Sequence, residues 1–309
     1  MAYVLRQIGQ ALLTVLGIVA VVFFMIRLIP GDPAAYMLGD YATDAAIATL
    51  RGQLGLDQPL ITQFWLFLTR LIQGDFGTSV VTGQPAIGEV MSSLAPSAAL
   101  SLSAMGVAIA VGVPLGILAA CNHGSWTDVA VTVIALVGIS APVFWIGLAA
   151  ILFLSSGLGW FPALGTTSST NLAVQLHHLA LPAIVLGLSV SAYIARLTRS
   201  AMLEILGADY IRVARAMGIA EHRIIGRLAL RNALVPVLSI IGVSFASSLG
   251  SAILVEIVFS RPGLGSLMLK AVQARDYQLV QAGIMALALS VVVVNLLIDL
   301  SYKLVDPRI

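Results

Sequence analysis

Glu256 and Asp299 are acidic side chains set in long apolar runs, where a carboxylate can relay a proton, hold a cation or gate a polar solute. Glu256 stands near the outer end of its run and Asp299 near the inner end of its own, positions where a charge costs least, so simple interfacial placement competes with a pathway role. Upstream of Glu256 the sequence reads Ile241-Gly242-Val243-Ser244-Phe245-Ala246-Ser247-Ser248-Leu249-Gly250-Ser251-Ala252. This run of small residues and hydroxyls suits either a tight helix interface or the wall of a cavity that passes a polar solute. Ser244, Ser247, Ser248, Ser251 and Glu256 are therefore the candidates for lining a pathway. Catalytic constellations are missing: there is no G-x-x-x-x-G-K-[ST], no H-E-x-x-H and no G-x-S-x-G. His177 and His178 are adjacent, so they point to different sides of a helix and make a poor metal site. The single cysteine, Cys121, excludes an intramolecular disulfide and reads as a small hydrophobe near a helix end.

The densest charge lies between Arg196 and Asn232, where seven arginines and three acidic residues interrupt hydrocarbon. This island reads as helix, glycine, helix. Leu203, Leu206, Tyr210, Val213 and Met217 recur at steps of three and four, which predicts one apolar face, with Glu204, Asp209, Arg212 and Arg215 around the rest of the cylinder. Gly218 breaks the pattern as a residue of positive φ at a helix end does. A second helix through Ile224, Ile225 and Leu228 leads to Pro236 at the foot of the next apolar run. A polar island between apolar runs is a place for a partner to dock.

The elements that position these residues follow from composition. Of the residues, 59% are hydrophobic and 10% charged, with a mean hydropathy of +1.02, against about a quarter charged in soluble domains. The chain is read as an all-α integral membrane protein. A hydrocarbon core of about 30 Å takes about 20 apolar residues per helix, which predicts six spans, near 8–29, 97–120, 129–154, 179–196, 233–257 and 281–302. The first is too long and lacks a cleavage box for a signal peptide, so it is expected to remain as a span. Arginine and lysine are concentrated at Arg6, in the island and at Lys303 and Arg308, which favours cytoplasmic N- and C-termini. The loop 121–128 carries neither Lys nor Arg, so it adds nothing to that argument. A net charge of +2 gives no reason to expect nucleic acid.

The first extracytoplasmic loop, 30–96, is long enough for two short helices. Thr43 can cap one that carries Ile47, Leu50 and Leu54 and stops at Gly55, and Pro59 opens a second that runs to Gln73 and closes at Gly74. The second is apolar but short and contains Arg70. It is expected to lie on the bundle at the interface, with Trp65 at headgroup level.

Asp209-Tyr210-Ile211-Arg212-Val213-Ala214-Arg215-Ala216-Met217-Gly218, followed by Leu230-Arg231-Asn232-Ala233-Leu234-Val235-Pro236, resembles the cytoplasmic loop of binding-protein-dependent ABC importer permeases, closest to the dipeptide, oligopeptide and nickel branch. Pro30-Gly31-Asp32-Pro33, Leu54-Gly55-Leu56-Asp57-Gln58-Pro59-Leu60, Gly74-Asp75-Phe76-Gly77-Thr78-Ser79, Arg261-Pro262-Gly263-Leu264-Gly265, Arg275-Asp276-Tyr277 and Asp306-Pro307-Arg308 agree with it. The ordered set covers essentially the whole chain. Arg212 and Val213 depart from the general Glu-Ala-Ala pattern, Ala220 stands where relatives often place a capping serine, and Gln278 where the branch commonly has proline.

The resemblance implies a type I, MetI-like permease fold over residues 1–309, with a coupling loop at 197–232. It implies a transport permease of the bacterial inner membrane rather than an enzyme. Its partners would be a second homologous permease, two cytoplasmic ATPase subunits and an extracytoplasmic substrate-binding protein. No cofactor is expected in this chain; ATP and magnesium would sit on the ATPases. By the same resemblance Asp209, Tyr210, Arg212, Ala214, Arg215, Ala216 and Gly218 would form the surface docked to an ATPase, and the cargo would be peptides, with nickel chelates or glutathione as alternatives. A polytopic membrane enzyme would need the missing motifs, and a transporter working alone would show an inverted repeat, which is not evident.

Overall fold

The computed structural model describes residues 2–27, 43–55, 57–165 and 169–305. The signatures at 30–33 and 306–308 lie outside these residues, as does the side chain of Asp299. Among the described residues the regular structure is helical, with one isolated β-bridge between Thr78 and Pro85. Two compact bodies can be told apart, Met1–Pro96 with Pro262–Val292, and Ser97–Arg261 with Val293–Ile309.

In the first body, α1 (Ala2–Arg27) is a continuous apolar helix. It buries Val19, Val22 and Phe23 against Phe64, Phe67, Leu68 and Leu71 of α3 (Leu60–Ile72). The ring of Phe23 meets Phe64 edge to face at 5.1 Å, and the Arg27 guanidinium lies 3.5 Å from the Phe23 ring centre and donates to Gln63 Oε1 at 2.9 Å. The other side of α3 leaves Ile61, Trp65 and Ile72 exposed, an arrangement suited to a helix lying on the bundle with its outer side in lipid. Between them, α2 (Asp44–Leu54) is capped as the sequence predicts: Thr43 Oγ1 accepts from the amide of Ala46, and Gly55 closes the helix at φ 70°. Helix α10 (Leu264–Gln273) and the start of α11 (Tyr277–Val305) complete the body.

Two of the sequence signatures meet here. Asp276 is buried ahead of α11 and accepts from Ser79 Oγ at 2.6 Å, from the Val80 amide at 2.9 Å and from the Leu279 amide at 3.1 Å. Gln278, where the branch commonly has proline, accepts from the Thr78 amide at 2.8 Å. A side chain at Gly77, whose φ is 83°, would run into that Gln278 amide.

The second body is organised around α7 (Leu172–Leu206), against which α5 (Trp126–Ser140), α6 (Val143–Ala150) and α9 (Leu230–Val258) pack. Glycines bring α7 and α4 (Ala86–Cys121) backbone to backbone, whereas in the 241–252 run Gly242 meets the side chain of Ile298. A Cβ at Gly112 would stand 2.7 Å from the Ser191 carbonyl oxygen, one at Gly116 2.5 Å from that of Ala195, and one at Gly187 2.6 Å from that of Ala104. The three glycines let two apolar helices touch backbone to backbone, the device by which helices associate where lipid removes the hydrophobic drive.

The expected third span is not one straight helix. Helix α5 ends at Ser140, Ala141 and Pro142 are extended, and α6 restarts at Val143 and runs into a π-helical segment, Ile151–Gly157, bent 102° from α5. Pro142 explains the break: it lacks the N–H that would bond to residue 138 and disfavours helical ψ at Ala141. Among the described residues, five other apolar helices are long enough to cross a bilayer. Helices α4 and α7 begin well before the expected 97 and 179, because their first turns are too polar to register as membrane core and yet remain helical.

Candidate functional site

Helix α7 stops at Leu206, so the predicted stripe from Leu203 to Met217 is not one face of one helix. Gly207 and Ala208 turn the chain into a separate short helix, α8 (Asp209–Ala216). Its inner side is Ile211 and Ala214, buried against Met202, Ile224, Ala229 and Ala233. Tyr210, Val213 and Met217 face outward instead, 45%, 57% and 76% exposed. A helix of eight residues does not hold its shape alone in water; the two anchors fix it to the bundle.

Gly218 has φ 77°, as its position at the end of the pattern predicts, and the space where its Cβ would stand is open. Beyond it Ala220 is an N-cap without a side-chain bond, so the loss of a serine there is not made up by another cap. The following turn, Glu221–Arg223, passes through a π-helical segment, Ile224–Ala229, into α9, which carries Pro236 inside it rather than ahead of it.

Three polar contacts brace the corner. Arg215 reaches across Gly218 to Glu221, Nη2 to Oε1 at 2.7 Å and Nε to Oε2 at 3.2 Å. The bonds from Arg215 hold the Glu221 carboxyl below the usual carboxylate range. Arg212 pairs with Asp209 one turn back at 2.7 Å, fully in solvent. Asn232 Nδ2 donates to Tyr210 Oη at 3.0 Å, tying α8 to the foot of α9. Of the residues singled out in sequence, Asp209, Tyr210, Arg212, Arg215, Ala216 and Gly218 thus lie on the exposed side of one corner, and Ala214 beneath it.

A neighbouring cluster escaped the sequence. Asp128, in the first turn of α5, takes Arg199 of α7 in a two-pronged ion pair, with Nε at 2.5 Å and Nη2 at 2.8 Å. The Gly124 amide and His123 Nδ1 approach the same carboxylate at 3.0 and 3.1 Å. The loop 121–128 lacks Lys and Arg, but it contributes the acid that a basic residue of the island needs. Only the 71-residue separation hid it.

The serines of α9 divide. Ser244 and Ser248 are buried in their own body; Ser248 Oγ bonds to the Phe245 carbonyl at 2.7 Å, and Ser244 Oγ has no partner among the described residues. Ser247 and, at the edge, Ser251 belong to the outward side with Val243, Gly250 and Leu254. Glu256 is buried within its body and accepts a 2.5 Å bond from Ser97 Oγ of α4. Arg261 nearby donates from Nη1 to the Gly165 carbonyl at 2.5 Å.

The chain matches the binding-protein-dependent transport system inner membrane component over residues 112–309 and the N-terminal component of the same systems over 1–105. It is 40% identical to the dipeptide transport system permease protein DppB of Alkalihalophilus pseudofirmus, covering 100% of this chain and 99% of that one. It is 39% identical to the glutathione transport system permease protein GsiC of Salmonella choleraesuis, covering 99% and 98%. A MetNI methionine ABC transporter structure described as inward facing shares its fold, at a TM-score of 0.59 and 17% identity over 71% of this chain and 96% of that chain. With α8 mounted between membrane-length helices and both family segments matched in order, the chain belongs to the inner-membrane permeases of binding-protein-dependent ABC importers.

Proposed function

We propose that this permease, with a second homologous permease, forms the route by which short peptides enter the bacterial cytoplasm after delivery by an extracytoplasmic binding protein. The observation that carries the reading is α8: a short helix anchored by Ile211 and Ala214 that presents Tyr210, Val213 and Met217 to solvent. Exposed apolar side chains beside Arg212 and Arg215 suit the cleft of a cytoplasmic protein. In this reading an ATPase subunit receives α8, and Gly218 sets the angle at which it is offered. ATP and magnesium bind the ATPases. Closure of the ATPase pair favours one permease conformation over the other, and the energy passes as the difference in affinity of α8 for its cleft in the two states. The termini and residues 197–232 then face the cytoplasm. Ser247 and Ser251 line the route, and Ser244, Ser248 and Glu256 support it from within.

Peptide cargo rests on the dipeptide and glutathione permeases among the relatives, since glutathione is itself a peptide. The test is uptake of labelled dipeptide, glutathione and nickel chelate by cells that express the chain with its binding protein, second permease and ATPases. Peptide uptake that needs every subunit is expected. Nickel uptake without peptide uptake would refute the cargo, and activity of the chain alone would refute the importer.

A further inference from the structure

Helices α5 and α7 touch at Gly138, where an added Cβ would stand 3.0 Å from the Cβ of Ala192, and are joined again at the Asp128–Arg199 ion pair. Between these two contacts they part, leaving a slot of about 270 Å³. Its walls are Val131, Thr132, Ala135, Leu136 and Ala195, and Arg196 and Arg199 stand at the end nearer the ion pair. The two guanidiniums are not alike. Arg199 is committed to Asp128, whereas Arg196, one residue short of a turn deeper along α7, has no ion pair or hydrogen bond among the described residues and is exposed. With Asp128 neutralised by Arg199, the end of the slot carries one uncompensated positive charge.

We propose that this slot binds one anionic phospholipid, with Arg196 holding the phosphate and the upper part of an acyl chain lying between α5 and α7. The chemistry is complementary at both ends. A guanidinium takes a phosphate through two parallel N–H donors, and basic pockets between spanning helices suit anionic headgroups. An unpaired arginine where the apolar stretch of a helix gives way to its polar end needs a counter-charge or water, and a headgroup there supplies the former. The slot is smaller than the roughly 300 Å³ at which pockets begin to enclose whole small ligands, so it holds part of a chain while the rest stays in the bilayer. The wall is mostly apolar, with Thr132 supplying a hydroxyl, and a free phosphate would not use that apolar surface.

The test is native mass spectrometry of the assembled importer, extracted from vesicles of phosphatidylglycerol and phosphatidylcholine in equal parts. One phosphatidylglycerol per copy of this chain should be retained. Arg196→Gln and, separately, Ala135→Leu, which fills the slot, should each lower its occupancy at least tenfold, and Arg223→Gln, on the island but outside the slot, should leave it unchanged. Equal retention in Arg196→Gln, or equal retention of phosphatidylcholine by the unaltered protein, overturns the proposal. So does efficient cross-linking of the second permease to a cysteine at Leu136, which would mean that protein covers the slot. None of these readouts depends on transport, so they stand or fall apart from the cargo and coupling.

Discussion

Gly218 is held at φ 77° with open space on its Cβ side, so any penalty for a side chain there comes from the backbone alone. An L-residue in that conformation costs about 1–2 kcal/mol, most for a β-branched one and least for asparagine. Since about 1.4 kcal/mol is a tenfold change in an equilibrium, Gly218→Val should reduce peptide uptake about tenfold or more and weaken co-purification of the ATPases, while Gly218→Asn retains most of both. Arg215→Glu removes the brace across the same corner and places two acids together, and should act in the same direction as Gly218→Val. Full uptake and full ATPase retention in Gly218→Val and Arg215→Glu would leave the arginine island as a topology signal only. Ser247 and Ser248 offer a second contrast at this scale. Ser247→Leu adds an apolar side chain to an outward surface and should lower transport with the chain still abundant in the membrane. Ser248→Leu must be housed inside the body and should lower abundance first. Uptake at the normal rate in Ser247→Leu would assign that surface to passive packing.

Among the elements, α4 and α7 depend on each other through glycines that no local pattern announces. Gly116→Ala places a methyl 2.5 Å from the Ala195 carbonyl oxygen and 2.6 Å from Thr198 Cβ, whereas Gly106 has nothing within 4 Å of the same point. Overpacking of this kind costs on the order of 1–3 kcal/mol, so Gly116→Ala should lower the thermal stability of the purified complex by several degrees while Gly106→Ala does not. Equal stability would mean that α4 and α7 have room to separate. This contrast also marks the limit of what the sequence conveys. The caps at Thr43 and Gly55, the turn at Gly218 and the apolar cores of the long helices were legible because each is fixed within a few residues of chain. The end of α7 at Leu206 was not, because the spacing of Leu203, Leu206, Tyr210 and Val213 persists across Gly207 while the helix does not; burial of Ile211 and Ala214 against Met202 and the segment Ile224–Ala229 decides the face. The partners of Asp128, Glu256 and Asp276 are equally invisible, since each is chosen by tertiary contact.

For the whole molecule, the proposed orientation can be tested at two exposed positions. In a Cys121-free background, a cysteine at Asp44 should react with an impermeant thiol reagent in intact cells, and one at Glu221 should react only after the membrane is opened. The reverse labelling would invert the proposed topology. The Asp128–Arg199 pair bears on that topology independently, through the bend at Pro142. Were α5 and α6 to dip into the bilayer and return, the start of α7 would lie on the side of Asp128, and its far end, some 27 residues and roughly 40 Å further on at about 1.5 Å per residue, on the opposite side. Arg199 at that far end is instead 2.5 Å from Asp128. Joined by that pair, the start of α5 and the far part of α7 lie together, which supports the proposed reading that the broken segment crosses; with the five long helices the described residues then hold six crossings by length and composition.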